Sequence, residues 1–289
     1  QQPSDTYKAQ LRGGRGIRGV KTREADTVQF LLSADTHDSL LLFTNRGTVF
    51  HLKCHEIPLD ISRTAKGIPI INLISIEQGD QVTALVRVED FTPGRFILLA
   101  TRSGEIKKTA LEGFAQVRSN GLIAMDLEKG DELIVARLAD GGDELIMVSD
   151  AGQAIRFNID TLRTASRISG GVRGIHLTSG ARLADMDIAS SKWEEPFPFP
   201  KGDKGDYSPD NLFLVVTANG FGKLTPVNAY PLQNRGGSGV RTYKITTRTG
   251  KVVAARFVSL DQELLIISAS GIIIRMPVRN ITVQGRDTQ

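Results

Sequence analysis

The sequence predicts an all-β protein built from about six radially arranged, four-stranded blades. Five segments share one pattern: an apolar run, then Thr or Ser, two variable residues, a glycine and a second strand-like run. A basic, glycine-containing loop and a further strand-like run recur between them, which gives a repeat of roughly 50 residues. Since helical amphipathic periodicity of useful length is not seen, we expect strands rather than helices throughout.

Each of the five segments is predicted to form a β-hairpin. They are LLLFTNRGTVFHL (40–52), FILLATRSGEIKKT (96–109), ELIMVSDAGQAIRF (144–157), LFLVVTANGFGKLT (212–225) and ELLIISASGIIIRM (263–276). Their turn glycines are Gly47, Gly104, Gly152, Gly220 and Gly271. Glycine supplies the left-handed backbone conformation that a three-residue hairpin loop requires. Because one blade alone would expose an apolar face, the blades are expected to stack on one another.

We predict a single domain over residues 1–289. The repeat is stretched between the third and fourth hairpins by a segment rich in proline, glycine and charge, residues 190–211. The repeat resumes directly afterwards, so this segment is predicted to be an inserted surface loop between blades and not a domain boundary.

Composition and charge narrow the class of protein. The single cysteine excludes an internal disulfide framework and suits a reducing cytoplasm. We find no apolar run that approaches the roughly 20 residues of a membrane helix. The formal net charge is only +4, but six basic residues between positions 8 and 23 have no acidic residue among them. A basic cluster on a nearly neutral body indicates an anionic partner that meets one surface.

Basic residues recur at similar places in the loops between hairpins. Because consecutive blades are related by rotation, equivalent loops should lie on one rim of the disk, with cations on the second hairpin strands as possible supplements. The predicted rim residues are Arg18, Lys21, Arg63, Lys66, Lys107, Lys108, Arg118, Arg156, Arg173, Lys223, Arg235, Arg275 and Arg286. The plainer interpretation is that these are ordinary solvated surface charges.

A curved basic rim suits duplex DNA held by its phosphates, a contact that does not depend on base sequence. The chain lacks a helix that could enter the major groove, so direct base readout is not expected. We also find no nucleotide-binding fingerprint, no credible metal-ligand set and no catalytic constellation. The sequence therefore predicts a non-catalytic DNA-binding domain without a metal or cofactor of its own.

The stretch QLRGGRG near the start of the chain resembles the signature box of the DNA gyrase A family. The matching residues are Gln10, Arg12, Gly13, Gly14, Arg15 and Gly16, while Leu11 stands where the family usually has arginine. The repeat is similar to the six-bladed β-pinwheel at the C-terminal end of gyrase A, over nearly the whole chain.

This resemblance implies a domain that wraps duplex DNA around its rim with fixed handedness, so that ATP-driven strand passage introduces negative supercoils. It implies an A2B2 assembly with the N-terminal part of gyrase A, which carries the catalytic tyrosine, and with gyrase B, which carries the ATPase site and uses ATP and Mg²⁺. The expected location is the bacterial cytoplasm or an organelle.

Two other interpretations stay open on the sequence. The C-terminal domain of the topoisomerase IV A protein has similar blades with a missing or degraded box, and would bind DNA without wrapping it. A propeller-type scaffold for proteins or glycans is the alternative from a different class. Whether the blades form a closed ring or a spiral is not decided by the sequence.

Overall fold

The computed structural model describes residues 17–18, 29–59, 67–117, 120–190, 212–268 and 272–288. Regular structure within these ranges consists of β-strands and short 3-10 turns. The strands are β1 (Ile17–Arg18), β2 (Ser39–Thr44), β3 (Thr48–Lys53), β4 (Val82–Val88), β5 (Arg95–Thr101), β6 (Glu105–Ala110), β7 (Leu122–Ile123), β8 (Leu133–Asp140), β9 (Glu144–Ser149), β10 (Gln153–Asn158), β11 (Val172–Arg173), β12 (Leu183–Ala189), β13 (Leu212–Thr217), β14 (Gly222–Pro226), β15 (Val240–Arg241), β16 (Val252–Val258), β17 (Glu263–Ile267) and β18 (Ile272–Pro277). The 3-10 turns are Cys54–Glu56, Ile70–Asn72, Leu111–Phe114, Ile159–Thr161, Val227–Ala229 and Val278–Asn280.

Every predicted hairpin is present within its own antiparallel sheet, and in the three four-stranded sheets it forms the two middle strands. We number the blades by these hairpins: blade 1 holds β2 and β3, blade 2 β5 and β6, blade 3 β9 and β10, blade 4 β13 and β14, and blade 5 β17 and β18. The strand orders are β4-β2-β3-β7, β11-β6-β5-β8, β12-β9-β10-β15, β14-β13-β16 and β1-β18-β17. The prediction of an all-β fold made of repeated blades is thus confirmed.

The outermost strand of a blade comes from a later part of the chain than the sequence repeat suggests. β7 follows the hairpin of blade 2 but pairs with β3 of blade 1, and β11 and β15 pair in the same way with β6 and β10. Each two-residue strand therefore ties one blade to the unit that follows it. β1 pairs with β18, Ile17 opposite Ile273 and Arg18 opposite Ile272, so the beginning of the chain is joined to blade 5.

Both faces of the first hairpin strand are buried in blades 1 to 4, whereas this strand is exposed or half-buried in blade 5. In β5, Ile97 and Leu99 belong to a core shared with blade 1, while Leu98 and Ala100 belong to a core shared with blade 3. Alternate side chains of a strand point to opposite faces of its sheet, so a strand between two neighbouring blades must be apolar at every position. This explains the unbroken Leu, Ile, Val and Phe runs in the sequence.

A buried ion network joins three blades where β8, β12 and β16 meet. Asp185 on β12 accepts hydrogen bonds from Arg137 Nη2 at 2.9 Å, Arg256 Nη1 at 2.7 Å and the Ala255 N–H at 3.0 Å. Asp187 accepts from Arg137 Nε at 3.1 Å. Burial raises the pKa of Asp187, and the guanidinium groups of Arg137 and Arg256 oppose that rise. The network links blades 2, 3 and 4 through charge as well as apolar contact.

The turn glycines have the predicted left-handed backbone wherever they are described. The values of φ are 77° at Gly47, 90° at Gly104, 82° at Gly152 and 79° at Gly220, and Gly271 lies outside the described residues. The carbonyls of three of these glycines, Gly47, Gly104 and Gly152, also accept hydrogen bonds from the unit that follows. The Gly152 carbonyl accepts from the N–H groups of Thr242 and Tyr243, for example, at 2.8 and 3.3 Å.

Gly152→Ala is expected to lower the free energy of unfolding by at least about 2 kcal/mol, since left-handed strain is added to a backbone clash. A Cβ at this position would stand 2.3 Å from the carbonyl oxygen of Tyr243. Urea unfolding measures the loss. Gly220→Ala is the matched control, because Gly220 has the same turn conformation with open space around it. Equal losses in the two variants would show that the inter-blade contact contributes nothing.

The inserted segment is bracketed by β12, which ends at Ala189, and β13, which begins at Leu212. It joins a strand of blade 3 to a strand of blade 4 in the sequence. Residues 191–211 lie outside the described ranges, so the surface loop stays a prediction. A search of the described residues finds no helix with the length and hydropathy to cross a membrane.

Candidate nucleic-acid interface

Four of the predicted basic loops lie within the described residues. They are loop II (residues 120–126), loop III (164–175), loop IV (232–243) and loop V (283–288). The box from Gln10 to Gly16 lies outside the described ranges, as do Lys21, Arg63, Lys66 and Arg118, and only the backbone of Arg18 is described.

Isolated bridges to the second hairpin strands fix the alignment of loops III, IV and V. Thr164 pairs with Lys108, Leu232 with Arg156 and Val283 with Leu224, each in parallel orientation. The third residue after each bridge is an arginine, and these equivalent residues are Arg167, Arg235 and Arg286.

The two-residue strands extend this alignment to the box. Arg12 precedes Ile17 of β1 by the same five positions that separate Arg235 from Val240 of β15. Arg12 thus has Arg167, Arg235 and Arg286 as its structural counterparts. The sequence pattern alone matches Arg173 with Arg15, since each directly precedes a loop glycine. This match is wrong, because Arg173 occupies the second position of its two-residue strand.

Neighbouring loops are hydrogen-bonded to one another. Between loops II and III, the Asp126 N–H donates to the Ser169 carbonyl at 3.0 Å, and Arg167 Nη1 donates to the Ile123 carbonyl at 2.9 Å. An arginine of one blade's loop therefore reaches the backbone of the preceding loop.

The same kind of contact continues along the series. Between loops III and IV, the Gly236 N–H donates to the Gly174 carbonyl at 2.6 Å, and Arg235 Nη1 donates to the Arg173 carbonyl at 3.2 Å. Between loops IV and V, Arg286 Nη1 donates to a loop IV carbonyl at 2.6 Å. The four loops form a continuous strip, which we call the rim strip.

The rim strip exposes guanidinium groups to solvent. Arg173, Arg235 and Arg241 are exposed, and Arg286 is half-buried where it contacts the preceding loop. The strip is not purely cationic, because Arg241 Nη1 lies 3.1 Å from Asp287 Oδ1. A surface pair of this kind is weak and can be rearranged by an anionic ligand.

Sequence reasoning missed Arg167 and Arg241. Arg241 is the second residue of β15, as Arg18 is of β1 and Arg173 of β11. The signal that could have found it is the aliphatic–arginine dipeptide that follows the loop glycine in all three loops.

Three predicted rim residues are buried, and here the prediction is wrong. Lys107, Lys108 and Lys223 are 2%, 5% and 1% exposed. The Lys108 ammonium donates to the Ile159 carbonyl at 2.9 Å, and the other two are held by several carbonyls each. Burial lowers the pKa of Lys107 and of Lys223 to about 8. These ammonium groups stabilise the fold by binding backbone carbonyls of neighbouring segments, and they do not face a ligand.

Arg156 and Arg275 are also engaged within the fold. Arg156 Nε donates to Glu144 at 2.6 Å, and its Nη1 donates to two carbonyls after the next hairpin, those of Val227 and Tyr230, at 3.1 and 3.0 Å. Arg275 Nε donates to Glu263 at 2.7 Å. Arg156 and Arg275, each four residues after a turn glycine, thus bind other groups of the protein. They are not assigned to the DNA-binding rim.

A family model described as "DNA gyrase C-terminal domain, beta-propeller" matches this chain in six segments. The matched residues are 2–35, 38–89, 95–140, 143–190, 211–259 and 262–289. The fold and the rim strip therefore define a β-propeller of the gyrase type. The chain belongs to the DNA gyrase A C-terminal domain family.

Similar proteins agree with this assignment. The DNA gyrase A protein of Dehalogenimonas lykanthroporepellens is 46% identical over 293 residues, which cover 99% of this chain and 34% of that protein. The DNA gyrase A protein of Staphylococcus aureus is 40% identical over 288 residues, 99% of this chain and 31% of that protein. The chain thus spans about a third of the length of these relatives.

Two solved structures share the fold. A DNA gyrase A C-terminal domain superposes with a TM-score of 0.83 at 25% identity, covering 99% of this chain and 87% of that one. The C-terminal domain of a DNA topoisomerase IV superposes with a TM-score of 0.72 at 24% identity, covering 92% and 78%. The kinship with gyrase A supports a DNA-binding role, whereas the likeness to topoisomerase IV concerns the fold alone.

Proposed function

We propose that this domain binds duplex DNA along its rim without sequence preference, bends it and wraps it with one handedness. The observation that carries the proposal is the rim strip, in which arginine-bearing loops of successive blades are joined by hydrogen bonds. A continuous curved strip can hold successive phosphates of one duplex, whereas isolated surface charges cannot. The chain acts as one domain over residues 1–289.

Bending a duplex by 40–90° over 20–30 base pairs costs on the order of 1–6 kcal/mol. Many phosphate contacts must offset that cost, and a rim built from several blades supplies them. The loop glycines help, because a residue without a side chain lets backbone N–H groups approach phosphate oxygens.

In this proposal the domain itself is non-catalytic and needs no metal or cofactor. It presents wrapped DNA to the N-terminal part of gyrase A and to gyrase B, in an A2B2 enzyme of the bacterial cytoplasm or an organelle. There, ATP-dependent strand passage introduces negative supercoils.

Ligation of nicked or linear DNA into circles in the presence of the domain, followed by topoisomer analysis, tests the wrapping. We expect a shift of the linking number in one direction that grows with the ratio of protein to DNA. Binding without any shift would contradict wrapping and would leave the topoisomerase IV type of activity instead.

Phosphate contact predicts a strong dependence of affinity on salt. The logarithm of the binding constant should fall with the logarithm of salt concentration, with a slope near −0.9 for each phosphate neutralised. Arg235→Ala should make this slope shallower by about one and weaken binding equally for all DNA sequences. Arg95→Ala is the control, because Arg95 pairs with Asp140 at the end of its hairpin away from the turn. An unchanged slope in Arg235→Ala would remove this residue from the interface.

A further inference from the structure

The third residue after the turn glycine lies beneath the loop that follows in blades 2, 3 and 4. It is a lysine or an isoleucine in every blade except blade 1, where it is Phe50. In blades 2 and 4 it is a lysine, Lys107 and Lys223, whereas in blades 3 and 5 it is an isoleucine, Ile155 and Ile274. The basic loops that cover this position differ in sequence in the same way.

Within the described residues, the loop that meets an isoleucine has arginine followed by two glycines. Loop IV reads Arg235-Gly236-Gly237 over Ile155, and a Cβ at Gly237 would come within 3.6 Å of Ile155 Cδ1. The box reads Arg12-Gly13-Gly14, and it leads directly into β1, which pairs with the strand that carries Ile274.

The loops that meet a lysine lack the glycine pair. Loop III has Ile168 and Ser169 after its arginine, and loop V has Asp287 and Thr288. Residues with side chains have fewer allowed backbone conformations than glycine. The conformation of such a loop therefore needs another source of stability.

The lysine ammonium supplies that stability in loop III. Lys107 Nζ donates to the carbonyls of Arg167 at 2.6 Å, Ser169 at 2.8 Å and Ala124 at 2.8 Å. Three acceptors use all three N–H groups of the charged ammonium. The contact binds loop III and the end of loop II to one buried charge.

Loop V is held in the same way. Lys223 Nζ donates to the carbonyls of Gly285 at 2.9 Å, Arg286 at 2.8 Å and Thr288 at 3.0 Å. Arg286 and Thr288 are the counterparts of Arg167 and Ser169, so in both blades the lysine holds the same two carbonyls of the loop. The remaining acceptors differ, since Lys107 uses the Ala124 carbonyl and Lys223 uses the Gly285 carbonyl and the Thr288 hydroxyl.

This geometry also orients the outer side of each loop. A trans peptide group points its N–H away from its carbonyl. When the carbonyls of Arg167 and Ser169 point inward to Lys107, the N–H groups of Ile168 and Gly170 point away from it, and donors directed outward suit an anion.

We propose that Lys107 and Lys223 are positioning residues for DNA binding. They hold the arginines equivalent to Arg12, namely Arg167 and Arg286, in a DNA-binding conformation. Loop IV reaches that conformation with a glycine pair over an isoleucine, and the box has the same glycine pair in its sequence. The inference rests on the proposed DNA-binding function.

The test compares three variants of the 289-residue chain. Lys107→Met should speed amide exchange at Ser169 and Asp126 by about tenfold or more, because their N–H groups donate to carbonyls of loop III and the loop loses its anchor. It should also make the salt slope of DNA binding shallower by about one. Lys108→Met is the matched control: it removes a neighbouring buried lysine that contacts the Ile159 carbonyl, so loop III exchange and the salt slope should not change.

The third variant replaces the two loop residues and the buried lysine beneath them together. Lys107→Ile combined with Ile168→Gly and Ser169→Gly copies the pairing of loop IV and should restore the salt slope. A purely structural role of Lys107 would not predict this rescue.

Unchanged exchange in Lys107→Met, or a looser loop with an unchanged salt slope, would overturn the positioning role, as would failure of the triple variant to recover. The exchange measurement needs no DNA. If the parent chain shows no salt-dependent DNA binding at all, the proposed function fails, and the exchange result separately reports whether Lys107 orders the loop.

Discussion

Alanine in place of Asp185 is expected to lower the free energy of unfolding by about 3 kcal/mol, because it leaves the largely buried Arg137 guanidinium and the buried Ala255 N–H without their shared acceptor. Asp185 is 6% exposed and accepts hydrogen bonds from Arg137, Arg256 and the Ala255 N–H. The loss should be large because one substitution acts on the junction of three blades. Urea unfolding followed by far-ultraviolet circular dichroism measures it.

Asp140→Ala provides the control for this prediction. Asp140 pairs with Arg95 at 3.2 Å, but its side chain is 44% exposed. An exposed pair contributes about 0–1 kcal/mol. A loss of less than about 1 kcal/mol in Asp185→Ala, no larger than in the control, would mean that the network is neutral to stability.

Replacing Arg12 and Arg15 together by alanine is expected to abolish the linking-number shift while affinity for linear duplex falls only about tenfold, as for two lost phosphate contacts. The box precedes β1, and β1 pairs with β18 of blade 5. The box is thus attached where the beginning of the chain meets its last described blade. Arginines there complete the path of the DNA, whereas the loops of the other blades still bind it.

Circle ligation and a filter-binding titration on the same variant separate the two effects. Arg235→Ala with Arg241→Ala is the comparison, since it also removes two arginines from one loop. Arg235 has the place of Arg12, and Arg241 has that of Arg18 because the place of Arg15 is Ser238 in loop IV. We expect that comparison to reduce affinity with part of the topological shift retained. A collapse of affinity in the box variant would make the box the principal anchor instead of the element that completes the wrap.

The hairpins were predictable because their signals are local. A run such as Leu40–Phe43 followed by a turn glycine specifies two strands and the turn between them, and the described turn glycines have the expected positive φ. The pairing of the short strands was not predictable. Val240–Arg241 completes a sheet begun by Glu144–Asn158, and nothing near either segment indicates the other.

The described loops contact one another in chain order, whereas the lysines of the second hairpin strands are buried, contrary to the prediction. A lysine in a strand and a lysine in a loop have the same charge in the sequence. Whether Lys107 or Lys223 faces water depends on the carbonyls that the next loop places around it. Which residues contact DNA stays a prediction, including those of the box.

The sequence by itself determined the repeat, the hairpins and the family, because each depends on short-range patterns of apolar residues, glycine and arginine. Only the tertiary structure decided which blade receives each short strand, which cations are buried and which loop arginines are equivalent. Those properties arise from contacts between successive units, where a buried ammonium or carboxylate is stable only if distant backbone groups satisfy its hydrogen bonds.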